Sequence, residues 1–442
     1  MRVLQETLSK KEKNKEYLNV AIIGSGWFGS GLIRELYHWP CLVPKLIITR
    51  TKKKALRTLE YAGVENSEIR EAESVQEYHR AVKENKFVVS ENLELTKNLK
   101  GIDVVFEATG IIGVGAECAV NTIKQGIHFL TANIEMDATI GFAIDKLAKD
   151  KGVVYSAGDG DQPAVLSRMI DEIELYGFQV IVAGSCKGFL DVHQTPEGVK
   201  PWVRPGHNPK IVASFADGTK QALEMTSLAN SRDLVPDIRG MHGPVTTKKT
   251  LVKDFLKVIR QEGIVDYAMG IKAIDEAAGV FVIGKRKGEF VAADLDYLKK
   301  GKGPYYLFFR GHHLCYFETA KSIAEAVLFN TATLPHKKRV ADVLTVAKKD
   351  LKASEKLDGI GGFTAYGLID KTETVKKENL LPVGLSDYAV LKKDIGKDTL
   401  VTFDMVEFPE ENIVLDLRKE EEKILMIRNN MTGTLLINDS KS

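Results

Sequence analysis

Cysteine is scarce in this 442-residue chain: Cys41, Cys118, Cys186 and Cys315 are the four, widely separated. No Cys-x-x-Cys pair or other metal-ligand spacing occurs. The cysteines therefore read as reduced, mostly buried thiols of a cytoplasmic protein. Long apolar runs are missing as well. No run of about 18 apolar residues without a charge occurs, so nothing is expected to span a membrane. An excess of one charge is also absent, since 62 Lys and Arg against 60 Asp and Glu leave +2. That removes any general pull towards nucleic acid or an anionic membrane. Residues 1–17 are lysine-rich without an apolar core, which argues against a secretory signal. What remains is an ordinary globular composition, 44% hydrophobic and 28% charged, with length for about two to three domains.

The most informative stretch is near the start. Leu18, Val20, Ala21, Ile22 and Ile23 read as a buried strand. It breaks into Gly24-Ser25-Gly26-Trp27-Phe28-Gly29 and then into a helical pattern, Leu32, Ile33, Leu36, Tyr37. Strand, Gly-x-Gly-x-x-Gly turn and helix is the order a dinucleotide site requires. Gly24 allows the tight turn, Gly26 has no Cβ to block the pyrophosphate, and Gly29 lets helix and strand pack closely. The phosphates then meet unpaired N–H groups at the positive end of the helix.

In NAD-preferring sites an acid about 20 residues beyond the glycines takes the ribose hydroxyls. Here the strand expected over 44–50 ends in Arg50-Thr51-Lys52-Lys53-Lys54, with no acid. A carboxylate there would repel a 2′-phosphate, whereas Arg50, Thr51 and Lys52 could hold one. A solvated basic helix start is the alternative. The expectation is NADP(H) in preference to NAD(H).

Further on, 66–95 reads as a helix and a short connector. An apolar strand over 101–108 closes in Thr109-Gly110, and another, 128–132, closes in Asn133. Polar turns at the carboxyl edge of a parallel sheet lie beside the cofactor. The βα rhythm, with strands too apolar to face water, predicts a doubly wound parallel sheet of the Rossmann type, an α/β fold.

The rhythm stops at Gly158. Asp159 and Asp161 on a Gly-rich turn could hold a divalent metal, Mg²⁺ or Mn²⁺, or a substrate hydroxyl. They could equally cap a helix. Lys187 ends a strand. If a helix begins near Gly218, Lys220 and Glu224 share one face, either as a surface pair or as part of a reaction face. His242 stands between flexible joints in Gly240-Met241-His242-Gly243-Pro244, and Arg310, His312 and His313 close an aromatic strand. From Lys337 onward, short strands and turn residues suggest a small β-rich unit.

Two resemblances arise from these segments. The glycine turn, Asp103-Val-Val-Phe-Glu-Ala-Thr-Gly110 and Thr131-Ala132-Asn133 resemble the nucleotide domain of homoserine dehydrogenases. There a lysine follows the Thr-Ala-Asn, where this chain has Ile134 and Glu135. The 214–220 run, Glu224-Met225, Asn230, Gly240–Pro244, Gly279-Val280-Phe281 and Arg310-x-x-His313-Leu314-x-x-x-Glu318 resemble one homoserine-dehydrogenase-like group that ends in a SAF domain. The NADPH-using 1-deoxy-D-xylulose 5-phosphate reductoisomerase-like enzyme is one of its members. In the stretch after Lys187-Gly188 this chain departs from the group, with Phe189-Leu190-Asp191-Val192-His193.

The resemblance implies a nucleotide domain over 1–160, an α+β catalytic and dimerisation domain over 161–334 and a SAF-like domain over 335–442. It also implies a homodimer or higher homo-oligomer acting on a small molecule. Reduction of a carbonyl needs a proton donor and a stabilised alkoxide. A lysine whose pKa is lowered in a partly dry cleft could supply both. Lys220 is expected in that role, oriented by Asp217. Lys187 would hold a hydroxyl or phosphate and Glu224 another hydroxyl, and these roles are exchangeable. His242, Arg310, His313 and Asp191 are candidate substrate contacts.

The leading expectation is an NADP(H)-dependent oxidoreductase of a polyhydroxylated or phosphorylated carbonyl compound, reductoisomerase-like. The alternatives are a dehydrogenase of a hydroxy acid or amino alcohol, and a non-catalytic NADP-binding sensor.

Overall fold

A computed structural model describes residues 2–270 and 279–425. Seven parallel strands form its first sheet: β1 (Leu18–Ile23), β2 (Leu42–Ile48), β3 (Ile69–Glu71), β4 (Phe87–Ser90), β5 (Val104–Glu107), β6 (His128–Thr131) and β7 (Tyr155–Ala157). Their spatial order is β3-β4-β2-β1-β5-β6-β7. The order reverses about β1, and a crevice at such a switch point is where doubly wound sheets bind ligands. Strands such as β1 and β5 are mostly apolar and buried along their length, Glu107 included, as strands of a sheet covered on both faces are. The α/β expectation holds.

The 66–95 stretch departs from the expectation. Instead of one helix and a connector it supplies β3, the helix Val75–Lys83 and β4. Short strands flanked by charge carry too little alternation to be recognised. The pairing of Ile48 with Ser90 sets the carboxyl end of β4 beside that of β2.

The second sheet is mixed, in the order β12-β11-β8-β10-β9, from β8 (Gln179–Lys187), β9 (Val235–Pro236), β10 (Ile264–Met269), β11 (Val280–Lys285) and β12 (Tyr305–Arg310). The stretch 275–283 reads in the sequence as a strand; it is seen from Val280, and residues 271–278 lie outside the described residues. After β12 the helix Tyr316–Phe329 returns to the first sheet's helix Trp27–His38, where a Cβ on Gly31 would sit 2.5 Å from the Tyr316 ring.

Strands β13 (Ala341–Ala347) and β14 (Ala365–Lys371) pair antiparallel, and the short β15 (Val390–Leu391) and β16 (Val406–Glu407) follow. This tail is not purely β-rich. A helix over 413–425 brings Glu421 to the Ala143 amide at 2.9 Å and to Arg339 at 2.7 Å.

One consequence of the tail governs the site. Strands β13 and β14 lie on the helix Thr219–Arg232, where Gly367 N–H donates to Thr219 Oγ1 at 2.8 Å and Asn230 Oδ1 accepts from Val340 and Ala341. Every residue of that helix up to Ser231 is buried. A segment reading Thr-Lys-Gln-Ala-Leu-Glu-Met-Thr-Ser-Leu-Ala-Asn-Ser is far too polar to be buried for hydrophobic gain. Its charged groups must find partners inside the protein.

Candidate functional site

The nucleotide crevice is a cavity of about 320 Å³ lined by Gly24, Ser25, Gly26, Thr49, Arg50, Thr51, Lys54, Glu91, Thr109 and Ile111, among others. Gly24 has φ +98°, and a Cβ there would lie 2.9 Å from Ala108 O. On Gly29 a Cβ would lie 2.0 Å from Gly24 O. Both glycines are required by the fold. Gly26 differs, because a Cβ there would meet nothing within 4 Å. The chain leaves open space at the start of the Trp27–His38 helix, where a pyrophosphate would face the first N–H groups. A dinucleotide therefore fits the residues present. Ser25 Oγ and Thr49 Oγ1 are 2.7 Å apart across the crevice. Phe28 stacks on Phe106 inside the fold, while Trp27 is half exposed between His207 and Tyr316.

The basic rim needs correction. Lys52 is drawn to Glu71 at 2.9 Å and Glu73 at 3.0 Å, so its ammonium is committed rather than offered to a phosphate. Nor is the rim free of acid, since Glu91 from the end of β4 lines the same cavity. Arg50, Thr51 and Lys54 remain as the groups facing it.

At the opposite end of the crevice, Thr109 is held by Glu107, whose carboxylate accepts from the Thr109 amide at 2.6 Å and from Thr131 Oγ1 at 2.7 Å. Burial pushes the Glu107 carboxyl up, against these hydrogen bonds. Asn133 is buried and caps the helix Ile134–Lys151 by accepting from Met136 N at 3.0 Å. Gly110 and Ile111 lead on to a second cavity of about 280 Å³ that includes Glu135, Lys210 and, from the tail, Asp387 and Tyr388. Ile111 lines both cavities.

Lys220 meets this edge. Its Nζ lies 2.9 Å from Glu135 Oε1, with both groups buried. A surface-pair reading is thereby overturned, and so is the expected lowered pKa. Burial pushes Lys220 down, but Glu135, Asp161 and Glu224 outweigh it and hold the ammonium charged. Glu224 responds in the opposite sense. Burial, reinforced by Asp161, pushes its carboxyl up to about 8, against the pull of Lys220 and Lys187. Lys187 is the lysine that fits the lowered-pKa expectation, through burial opposed by Glu224 and Asp217. Its Nζ donates to Phe215 O.

Asp217 does not orient Lys220. It is buried against Lys348 of the tail at 2.7 Å and caps the helix through the Thr219 amide at 2.8 Å. Glu135 takes that place. Its only sequence signal was an acid in the first turn of the helix after Asn133, where the homoserine dehydrogenase pattern has lysine nearby.

Of the two roles open to Asp159 and Asp161, metal ligands or helix caps, the structure favours the second for Asp161. Asp159 is buried in ion pairs with Arg168 at 2.5 Å and Lys321 at 3.4 Å. Asp161 caps the helix Gln162–Leu175 at 3.0 Å and turns its charge towards Lys220 and Glu224. Among the described residues no group of three His, Cys, Asp or Glu side chains converges to hold a metal.

Three of the four substrate candidates are likewise committed to the protein. His242 lies between Asp266 at 2.7 Å and Asp237 at 3.3 Å, its pKa raised chiefly by the Asp266 hydrogen bond. Arg310 pairs with Glu318 at 2.8 Å, and Asp191 accepts from the His193 amide and Gln194. His313 sits beside the turn that carries Asp161, with Nδ1 3.1 Å from Gly160 O. Beside it Cys315 stays a thiol, pushed up to about 12 by burial and by Asp161 and Glu224.

Residues 160–319, which carry Asp161, Lys187, Lys220, Glu224 and His313, match the family model "Oxidoreductase DRL, catalytic domain". The matched segment is well under half of the chain. No curated protein matches the sequence. Among solved structures, a probable dehydrogenase from Thermotoga maritima aligns at 13% identity over 71% of this chain and 90% of its own, with TM-score 0.43. A myo-inositol dehydrogenase from Corynebacterium glutamicum aligns at 11% over 70% and 88%, with TM-score 0.38. KijD10, a 3-ketoreductase from Actinomadura kijaniata, aligns at 12% over 73% and 95%, with TM-score 0.35. Likeness this distant carries no functional weight. Among the described residues no helix is long and apolar enough to cross a membrane. The catalytic-domain match and the dinucleotide crevice together support an NAD(P)-dependent oxidoreductase.

Proposed function

We propose that the chain is an NADP(H)-dependent oxidoreductase of a small polyhydroxylated or phosphorylated carbonyl compound, with 1-deoxy-D-xylulose 5-phosphate the first substrate to try. The observation that carries this reading is the buried Lys220–Glu135 pair, flanked by Glu224 and Asp161, near the carboxyl edge of the nucleotide sheet. A nicotinamide cofactor, when bound, supplies or accepts the hydride. The chain's own residues must hold the carbonyl, exclude water and manage one proton. Lys220, kept charged, stabilises negative charge on the substrate oxygen. Glu224 keeps a proton on its carboxyl at neutral pH and can give it to that oxygen. Lys187, its ammonium now donating to Phe215 O, would meet a hydroxyl or phosphate.

The carboxylates around Lys220 favour a second reading, a dehydrogenase of an amino alcohol, whose ammonium they would neutralise. A panel of keto-sugars, sugar phosphates, hydroxy acids and amino alcohols, followed by nicotinamide absorbance, separates the two. Turnover of none of these classes would remove both.

Arg50 and Lys54 at the rim give NADPH the tighter binding. Fluorescence titration with both reduced cofactors checks this, and equal affinity or an NADH preference would overturn it. A pH dependence follows from Glu224. Its folded pKa of about 8 lies above the ordinary 4.5, so the folded form binds the extra proton between these values. Its contribution to stability is complete below about 4.5 and is lost as pH rises through about 8. Carbonyl reduction should fall over the upper part of that range. Glu224→Gln should flatten the decline of Tm between pH 5 and 9, and an unchanged slope would show that Glu224 is ionised throughout.

A further inference from the structure

The ribose end of the crevice contains an acid in an unusual place. Strand β2 leads on to Arg50, but the neighbouring β4 leads on to Glu91, and the Ile48–Ser90 pairing brings the two ends together. The Glu91 carboxylate accepts the Lys52 amide at 3.1 Å, at the start of the Lys52–Ala62 helix. It also lines the same cavity as Gly24, Ser25 and Gly26. We propose that Glu91, delivered by β4 rather than β2, accepts the adenosine-ribose hydroxyls and sets how far the site discriminates NADP(H) from NAD(H).

This inference rests on the oxidoreductase reading and names one of its specificity determinants. Hydroxyls donate to a carboxylate in strong, charge-assisted hydrogen bonds. A 2′-phosphate in the same position brings like charge against Glu91, while Arg50 and Lys54 attract it. Lys52, a third cation beside them in sequence, is diverted to Glu71 and Glu73. Two cations opposed by one carboxylate give a preference smaller than the bare sequence suggests, and the carboxylate is what restrains it.

The test is a binding titration of the full chain with NADH and NADPH, comparing the native protein with Glu91→Gln. The amide keeps the size and can still accept from the Lys52 N–H, so the helix start is preserved. Glu91→Ala is the second variant, and melting curves confirm that both fold. The ratio of the NADH to the NADPH Kd should rise at least about tenfold, a change of about 1.4 kcal/mol, with NADH weakened or NADPH tightened. An unchanged ratio with both cofactors bound overturns the role of Glu91. So does an equal weakening of both, which would make Glu91 only a support for the helix. If neither cofactor binds the native chain, the oxidoreductase reading itself fails, and the role of Glu91 fails with it.

Discussion

Lys220→Ala should lower kcat by about 10²- to 10³-fold on the substrate found by screening, the loss expected for one preorganised charge-stabilising donor. NADPH affinity should remain close to native, because Lys220 is not among the residues lining the nucleotide cavity. A stability effect has to be separated from this. Glu135, Asp161 and Glu224 all act on the Lys220 ammonium, and removing one partner of a buried pair costs about 3–5 kcal/mol. The double change Lys220→Met with Glu135→Gln removes both charges of the pair and should recover much of the Tm. It should not recover turnover. Near-native kcat in either folded variant would place the proton and charge chemistry elsewhere, with Lys187 the next candidate.

The sequence revealed the first half of the site and disguised part of the second. Gly24, Gly26 and Thr109, which line the crevice, were legible because each lies just after a strand end within a local pattern of a dozen residues, whereas Asn133 turns out to be a buried helix cap. Glu91 was not, because it belongs to the pocket only through the pairing of β4 with β2, and neither of the short, charge-flanked strands in 66–95 was recognisable. Asp217 and Lys220 stand three residues apart on a turn and helix start, which made a mutual role natural. Their actual partners, Lys348 and Glu135, come from more than 80 positions away in each direction. Long-range pairing of this kind leaves no mark in local spacing. The tail from Ala341 concealed most, since its β13–β14 pair covers the Thr219–Arg232 helix and buries a segment whose Lys220 and Glu224 could have been a surface pair.

The same methyl group added at two glycines three residues apart should have opposite effects. Gly29→Ala places a Cβ 2.0 Å from Gly24 O. Neither backbone can yield easily, because Gly24 is itself pinned against Ala108 on β5's continuation, where its N–H also donates to Ile48 O at 2.7 Å. Overpacking against rigid backbone should cost about 3 kcal/mol, read as a lowered Tm in the absence of any cofactor. Gly26→Ala adds its methyl to open space, at φ −62° and ψ −165°, a conformation alanine adopts freely. The loss of a favourable N-cap glycine is offset by the smaller entropy of the unfolded chain. The Tm should therefore stay near native. NADPH binding should weaken by more than about tenfold (1.4 kcal/mol), because the methyl occupies the space reserved for the pyrophosphate. Calorimetry on both variants, with and without NADPH, measures the two effects side by side. Native-like NADPH affinity in Gly26→Ala would mean that the phosphates do not approach the helix start, and the assignment of the crevice would have to be abandoned.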